Sequence, residues 1–460
     1  MAVELLLEND SDAPVETLHF EYPEFASLEI LEARRDGAGG QVALTPVSRD
    51  ARFRHAVYRL STPLPPGERL RLRARGRLQY LGFTQDEEDP QAKITFNGSF
   101  LGTELLPRLG YDNGRELVEN RERIARGLPR LASRKAPQDD PVHRRRSVFS
   151  GLSPRATADI TVSTPASQTA FGPGALIARR VQGDRAISSF RLTEAAPLNW
   201  HIGSAAYEVA AFSIGRPERP VALEVLHHPG HAWNLDHIRA AADAALAHIE
   251  SELGPYPYQQ LRIAQIPFYA ETSHAYPNVI AIPENHGWFA AVREPAGAAY
   301  VYYIVARALA AQVLAHHLDI ADVQGAGLFT RTLPEHYALE LVRKRFGDAV
   351  HADALTAKAD DYRRGRGREP NTEPALLYSD GADYVEADKG PIVFAYLDER
   401  AGQGALGRAL ASFVARFAGT GVLIDSTDLL EHLERELPAD LRQEMREQFL
   451  RTDHAGLPGF

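Results

Sequence analysis

The sequence of 460 residues contains no cysteine, and it has only two methionines and three tryptophans. Without cysteine the chain can form no disulfide, no thiolate metal site and no thiol nucleophile, and the redox state of its compartment stays undecided. It contains no G-x-S-x-G motif, so nothing supports a serine hydrolase. Basic residues are also in deficit, with 51 Lys and Arg against 61 Asp and Glu. The resulting net charge of −10 disfavours nucleic acid as a partner.

Targeting signals are a further absence. The N-terminus, MAVELLLENDSDAP, lacks the basic region that precedes the apolar part of a secretory signal. No apolar run in the sequence is judged long enough to span a bilayer, so we expect no transmembrane segment. With 44% hydrophobic and 24% charged residues, the composition is that of a soluble globular protein with two or three domains. We therefore expect a soluble chain, cytoplasmic or held at a membrane by a partner, and its localisation is otherwise unknown.

The first half of the chain has the pattern of antiparallel strands. From Pro14 to about Leu226, short alternating segments are separated by proline and glycine. Between Leu70 and Arg75, apolar residues alternate with arginines, which predicts one buried row and one solvated row. The remainder of the chain has longer segments with helical spacing, such as the one beginning at Asp425.

The most informative stretch runs from Ala299 to Gly347. Three of its parts carry a resemblance: the apolar lead-in at 303–306, the linker DVQGAG at 322–327, and the segment RTLPEHYAL that begins at Arg331. Together they resemble the gluzincin zinc aminopeptidases, the family of aminopeptidase N, in the variety found with ABC-transporter permeases. Three separate segments, at 58–68, 94–112 and 163–176, resemble the β-rich N-terminal domain of the same family.

This resemblance implies an α+β fold in three parts. Residues 1–226 would form a β-rich N-terminal domain, and residues 227–350 a thermolysin-like domain with a degenerate zinc motif. Residues 351–460 would form C-terminal helices that close the cleft.

The metal-binding positions of the family are occupied here by other residues. A gluzincin carries H-E-x-x-H on one helix, so that two histidines share a face and hold zinc. Those positions fall on Arg307, Ala308 and Ala311, followed by Gln312, where the family also has glutamine. The third ligand, a glutamate, falls on Arg331, or on Thr330 if the one-residue spacing mismatch is placed differently. Neither alanine nor arginine can donate a lone pair to zinc, so we expect no metal cofactor.

The remaining catalytic positions are changed as well. The tyrosine that stabilises the oxyanion in the family falls on Ala387, and Tyr384 lies three residues upstream. The loop that binds the substrate amine, G-A-M-E-N, places its last three residues on positions 276–278. The residues that would line a vestigial peptide cleft are Tyr276, Pro277, Asn278, Glu284, Gln312 and Tyr384.

Two hypotheses follow. The first is a catalytically inactive, peptidase-like binding or structural module whose protein partner is an ABC-transporter permease or ATPase. The second keeps an enzyme, with zinc held by relocated ligands from His316, His317 and His336 and with Glu335 as the base. Because adjacent residues of a helix point about 100° apart, at most one of His316 and His317 can face His336. Four further histidines give a weaker metal hypothesis, at positions 227, 228, 231 and 237.

Overall fold

The computed structural model describes residues 1–21, 26–37, 40–79, 94–95, 98–103, 106–110, 117–149, 155–267, 273–369, 372–402 and 404–457. The turn signal at Asn97 lies outside these residues. By its internal contacts the chain divides into two compact units, Met1–Leu117 and Val118–Phe460.

The first unit is built from antiparallel strands. Its strands are β1 (Ala2–Glu8), β2 (Val15–Glu21), β3 (Ala26–Arg35), β4 (Leu44–Asp50), β5 (His55–Leu64), β6 (Arg69–Leu78), β7 (Ile94–Thr95), β8 (Gly98–Gly102) and β9 (Arg108–Leu109). They include a three-stranded sheet in the order β1-β6-β3 and a four-stranded sheet in the order β4-β5-β2-β9. Leu70 and Leu72 of β6 are buried, whereas Arg71 and Arg73 pair with carboxylates on the solvated side. The alternation predicted for this strand is confirmed.

The second unit contains the remaining strands, which are β10 (Ala156–Pro165), β11 (Thr169–Phe171), β12 (Ala175–Gln182), β13 (Arg185–Ala196), β14 (His201–Ala205), β15 (Glu208–Arg216), β16 (Arg219–His227), β17 (Gln260–Ile266), β18 (His274–Tyr276), β19 (Val279–Pro283), β20 (Asp319–Ile320) and β21 (Leu423–Ile424). Strands β10, β13 and β12 form a three-stranded antiparallel sheet. A mixed sheet has the order β15-β16-β17-β19-β18, in which β16, β17 and β19 run parallel.

Among the described residues, the α-helices all belong to the second unit. They are α1 (Asn120–Ala125), α2 (Leu235–Leu253), α3 (Pro295–His317), α4 (Leu333–Phe346), α5 (Asp348–Arg368), α6 (Gly390–Ala401), α7 (Ala405–Phe417), α8 (Ser426–Glu436) and α9 (Arg442–Leu450). Two π-helical turns, Leu328–Thr332 and Tyr384–Lys389, precede α4 and α6. Helix α8 begins where the predicted start signal places it, because the Asp425 side chain accepts hydrogen bonds from the backbone amides of Thr427 and Asp428.

The mixed sheet and the helices share one large apolar core. Helix α2 connects the parallel strands β16 and β17, as a crossover between parallel strands requires, and it packs against α3. The apolar side chains of α3 on its buried faces, including Val305 and Leu309, contribute to this core. Helix α3 is thereby held between the mixed sheet and the helices that follow it in the sequence. The face of α3 that lies outside the apolar core therefore has a defined position.

Helix α3 corrects one expectation from the sequence. It is the one helix among the described residues that is long and apolar enough, by length and composition, to cross a membrane. In its most apolar window, 72% of the residues are buried inside the protein, and a core helix passes the same test. Hydropathy averaged along the sequence therefore cannot distinguish a membrane-spanning helix from a buried core helix in this segment.

The α+β class predicted from the sequence is confirmed, with a β-rich N-terminal region and a helical C-terminal part. The predicted division after residues 226 and 350 falls inside β16 and inside α5. The β-rich region continues beyond the first compact unit, because β10 to β16 belong to the second. The contact-based division is thus a different one, and the three-part division stays a prediction.

Candidate functional site

One face of α3 is turned away from the core and towards α4 and α5. Pro295 occupies the first turn of α3, where its missing N–H costs nothing. Tyr303, Arg307 and Ala311 follow one another at intervals of four residues, and all three are half-buried. Residues at that spacing share one side of a helix. Positions 307–311, to which the resemblance assigns the metal-binding motif, all lie on α3, and helix α4 packs beside it.

A cluster of charged side chains fills the space in front of this face. Glu335 of α4 is buried and lies 3.4 Å from the guanidinium of Arg307 and 3.1 Å from the ammonium group of Lys358 on α5. The hydroxyl of Tyr303 donates a hydrogen bond to the same carboxylate. Lys358 also lies 3.4 Å from Asp388, in the second π-helical turn. We call these five residues the α3–α5 cluster.

Arg307 is held on its other side by the segment that precedes β18. Its guanidinium donates to the hydroxyl of Ser273 at 2.9 Å and to the backbone carbonyl of Ser273 at 3.3 Å. A planar guanidinium can serve several acceptors in fixed directions, which suits it to connect elements in this way. Arg307 therefore joins α3, α4 and the sheet segment at one point.

The electrostatic state of the α3–α5 cluster follows from burial and from its internal pairing. Burial by itself lowers the pKa of Lys358, but Tyr303, Glu335 and Asp388 together raise that pKa above its ordinary value. Burial, with Glu335 nearby, raises the pKa of Tyr303. Burial raises the pKa of Asp388 to about 6, although Lys358 offsets part of the effect. Near neutral pH the cluster thus holds a protonated lysine and a neutral tyrosine.

Arg331 lies in the first π-helical turn and points into a different set of partners. Its guanidinium pairs with Asp383 at 2.6 Å and lies 3.6 Å from the buried carboxylate of Glu386. Burial raises the pKa of Glu386, while a hydrogen bond from the backbone amide of Gly381 and the charge of Arg331 lower it. Single π-helical turns often occur at functional sites, and here the two turns contain Arg331 and Ala387, two of the positions that the resemblance singles out.

The donor set at these positions does not fit a zinc ion. Ala308 and Ala311 carry no donor atom, and the guanidinium groups of Arg307 and Arg331 carry N–H donors without a lone pair for a metal. Arg307 is also hydrogen-bonded to Ser273 and paired with Glu335, so that a cation occupies the space beside α3. Ala387 is half-buried and offers no hydroxyl for an oxyanion.

Three of the predicted cleft residues, Pro277, Asn278 and Gln312, are buried at or beside the β18–β19 hairpin. Asn278 is buried in the left-handed region at φ 51°, and its side chain exchanges two hydrogen bonds with the backbone of Gly174. Pro277 is buried beside it. Gln312 is buried as well, accepts a hydrogen bond from the Tyr256 hydroxyl at 2.5 Å, and donates to the carbonyl of Tyr276. The side-chain hydrogen bonds of Asn278 and Gln312 thus hold the β18–β19 hairpin in place.

The other three predicted cleft residues each have a different partner. Tyr276 is half-buried and stacks on His201 with ring centroids 4.1 Å apart. Glu284 follows β19 and lies 3.7 Å from the ring of His228. Tyr384 is buried against Tyr362, and burial raises its pKa to about 12.

The histidines of the relocated-ligand hypothesis do not assemble. His316 contacts Tyr258, whereas His336 is buried in α4 beside Phe394. Burial lowers the pKa of His336 to about 3 and that of His316 to about 4. His317 is directed elsewhere, its ring nearly perpendicular to that of His316. Across the described ranges, no three His, Cys, Asp or Glu side chains are grouped so as to hold a metal ion, including those at 227–237.

Several members of the site were not found from the sequence. Lys358, Asp388 and Ser273 come from three separate segments, and their meeting depends on how the helices pack. The sequence hypothesis assigns Glu335 the role of a base, whereas in the structure its carboxylate pairs with two cations, Arg307 and Lys358. A lysine on a helix with many charged neighbours gives no sequence signal for burial, because most such residues are solvated.

Comparisons with known proteins identify the fold of the chain. No family model and no curated protein match the sequence. The M1 zinc metallopeptidase of Deinococcus radiodurans superposes with a TM-score of 0.67 at 16% identity, covering 99% of this chain and 91% of that one. The chain has the fold of the M1 zinc metallopeptidases.

Two further structures agree with this assignment. A mutant of the Deinococcus radiodurans enzyme bound to a Tyr-Ser-Ala substrate superposes with a TM-score of 0.64 at 17% identity, again over 99% and 91% of the two chains. Aminopeptidase A of Legionella pneumophila, in complex with aspartic acid, gives a TM-score of 0.62 at 12% identity. Its match covers 98% of this chain and 47% of that chain, so the described fold corresponds to about half of the larger protein. The predicted peptidase-like fold is confirmed.

Proposed function

We propose that this chain is a catalytically inactive M1-peptidase-like protein that acts as a binding or structural module. The observation that carries the proposal is the α3–α5 cluster. At the face where the resemblance expects zinc, Arg307 and Lys358 flank the buried carboxylate of Glu335. A permanent guanidinium charge at that point repels a dication, and the two alanines supply no ligand.

The catalytic argument is cumulative. Activation of water in this fold requires a bound metal, the metal requires three protein ligands, and attack requires a base and an oxyanion donor. Under the alignment, the chain has Arg307, Ala311 and Arg331 at the ligand positions, Ala308 at the base and Ala387 at the oxyanion donor. Restoring one of these does not restore the others.

The partner we propose is a component of an ABC transporter, a permease or an ATPase. Support comes from the variety of the family that the sequence resembles and from the shortage of basic residues, which disfavours nucleic acid. The test is co-purification of the full chain with the permease and the ATPase encoded beside its gene. An isolated gene, or no co-purification under mild detergent, would leave a free-standing module.

Metal analysis tests the inactive state directly. We expect purified protein to hold no stoichiometric zinc, and its Tm to be unchanged by chelator or by added zinc. An ion that binds only the folded protein must stabilise it through linkage. One tightly bound zinc per chain would overturn the proposal and favour the relocated-ligand enzyme.

Activity and reversion complete the test. We expect no cleavage of amino-acid amides above background. A combined variant should gain zinc before it gains turnover, because the substrate-amine loop around Pro277 is not rebuilt by it. Its substitutions are Arg307→His, Ala308→Glu, Ala311→His, Arg331→Glu and Ala387→Tyr. Chelator-sensitive cleavage by the unmodified protein would contradict the proposal.

A further inference from the structure

The three-stranded sheet β10-β13-β12 ends in a strand with an open edge. Strand β12 pairs with β13, and in the part of the chain that the structure describes it has no second pairing strand. Its last six residues, 177–182, are all exposed. An edge strand of this length presents backbone donors and acceptors that another extended chain can pair with.

The register shows which backbone groups are available. Gly183 and Asp184 form a two-residue turn, so Gln182 and Arg185 close the hairpin as its first pair. In an antiparallel ladder, hydrogen-bonded and non-hydrogen-bonded pairs alternate. Counting back from the turn, Arg180 bonds to β13, whereas Val181 and Arg179 direct their N–H and C=O groups outwards.

The side chains on this edge combine apolar surface with positive charge. Val181 is 64% exposed and Ile177 is 51% exposed, which is unusual for β-branched residues in a strand. Arg180 and Arg179 are also exposed. Arg179 donates to the hydroxyl of Thr169 at 3.3 Å, and among the described residues neither arginine is paired with a carboxylate.

The positive charge of Arg179 and Arg180 distinguishes between two kinds of strand that could pair with this edge: a second copy of β12 and an acidic segment of another protein. Any antiparallel pairing of β12 with a second copy that is centred on its arginines places arginine opposite arginine, which is destabilising. A strand with acidic side chains opposite the arginines and apolar ones opposite Val181 is favoured instead. The positive edge thus disfavours self-association and favours an acidic partner.

We propose that the outer edge of β12 is a docking site for an extended acidic segment of a partner protein, which adds a strand to the β10-β13-β12 sheet. Main-chain hydrogen bonds at Arg179 and Val181 supply affinity, and the arginines select acidic sequences. This inference is independent of the zinc question and would stand if the chain proved to be an enzyme.

The test uses the full chain and a fluorescein-labelled peptide of repeating valine-glutamate-glutamate, followed by fluorescence anisotropy, because an antiparallel strand then offers valine to Val181 and glutamate to both Arg180 and Arg179. A matched peptide with lysine in place of glutamate is the control. We expect saturable binding of the acidic peptide that weakens as salt is raised, and no binding of the basic one. Absence of saturable binding of the acidic peptide up to about 1 mM would overturn the proposal.

Backbone pairing is tested by Val181→Pro. Proline removes the outward N–H but leaves the ladder to β13 intact, since proline is tolerated where an edge N–H faces solvent. We expect acidic-peptide binding to weaken roughly tenfold in this variant. Val181→Thr keeps the N–H and should bind as the unmodified protein does. Equal binding by the proline variant would overturn the added-strand geometry.

A second variant keeps the proposal testable if the proline variant does not fold. Arg179→Glu combined with Arg180→Glu retains all backbone groups and should reverse the preference towards the basic peptide. Unchanged binding of the acidic peptide by this variant would contradict the proposal. So would a concentration-dependent dimer in sedimentation that Val181→Pro abolishes, because the occupant would then be a second copy.

Discussion

Two buried lysines of the second unit have pKa values that shift in opposite directions. The pKa of Lys358 is raised, whereas burial lowers the pKa of Lys389 even though Glu373 accepts a hydrogen bond from it at 2.6 Å. Lys389 has no exposed surface, and its other acceptor is the neutral backbone carbonyl of Arg451. Lys358 keeps some exposure and has Glu335, Asp388 and the Tyr303 ring nearby.

The comparison separates two uses of buried charge. The Lys389–Glu373 pair is sealed from solvent, and the Glu373 carboxylate also accepts from the Tyr362 hydroxyl at 2.6 Å and lies 3.8 Å from the guanidinium of Arg366. It connects α5, the segment before α6 and the C-terminal segment. The α3–α5 cluster keeps partial exposure at Arg307 and Lys358, and its two cations share the carboxylate of Glu335. The first is a structural element of the fold, and the second is the candidate functional site.

The largest effect is expected from Lys389→Met. This change leaves the carboxylate of Glu373, which is 1% exposed, without its main partner. Loss of one member of a sealed ion pair costs about 3–5 kcal/mol. Denaturant unfolding followed by tryptophan fluorescence will measure it, since Trp200, Trp233 and Trp288 all lie in the second unit.

The control for this change is the double variant Lys389→Met with Glu373→Leu. Replacing both members by apolar side chains should recover most of the lost stability, because no buried charge remains. A loss below about 1 kcal/mol in the single variant would show that the pair is not a structural element of the fold.

Glu335→Gln should come second. It leaves Lys358 and Arg307 facing each other without the shared carboxylate, but both cations retain partial exposure of 14% and 22%. We therefore expect a loss of roughly 2–3 kcal/mol in the same unfolding measurement. Glu335→Gln combined with Lys358→Met should lose less than the single change. Unchanged stability would show that solvent screens the charges of the α3–α5 cluster and that Glu335 contributes little to the fold.

The pH dependence of the α3–α5 cluster should be of similar size at most. Because the folded pKa of Asp388 is about 6, above its ordinary value of 3.8, the folded protein binds its proton more tightly than the unfolded chain. The contribution is fully present below about pH 4 and is lost as pH rises through 6, at no more than about 1.4 kcal/mol per pH unit. Asp388→Asn should therefore gain stability relative to the unmodified protein as pH rises from 4 to 6.

This prediction needs the difference between the two proteins, because other groups oppose it. The pKa of His336 is lowered to about 3 and that of His248 to about 4, both by burial, so their contributions are lost as pH falls below 6.5. Those terms are common to both proteins and cancel. A stability difference that is constant with pH would contradict the role given to Asp388.

The smallest effect is expected from Asp383→Asn. Its partner Arg331 is 50% exposed and Asp383 is 70% exposed, so solvent screens the pair. We expect a change below about 1 kcal/mol, which high salt should reduce further. A larger loss would contradict the screening of this pair, and Arg331→Met, which also removes the contact with the buried Glu386, is the comparison variant.

The sequence predicted the parts of the site that depend on local spacing. The glycine framework is one case: a Cβ at Gly327 would lie 2.0 Å from the Glu386 carboxyl group, and one at Gly390 would lie 2.5 Å from the Thr332 hydroxyl. Gly327 belongs to the linker DVQGAG, one of the segments that carry the resemblance. The α3–α5 cluster could not be predicted, because Lys358 and Asp388 meet Glu335 only through helix packing. The left-handed backbone at Asn278 also gave no signal, since it depends on the distant Gly174.

Arg307 has a consequence for the synthesis of the chain. It stands in the middle of α3, the segment that satisfies the length and hydropathy of a bilayer span. An arginine at the centre of such a segment costs about 2.5–3.5 kcal/mol during insertion by the translocon. The same side chain that pairs with Glu335 after folding therefore discourages insertion of the nascent chain into a membrane before folding. Arg307→Leu would remove that barrier, and a glycosylation-mapping assay on α3 should report greater insertion.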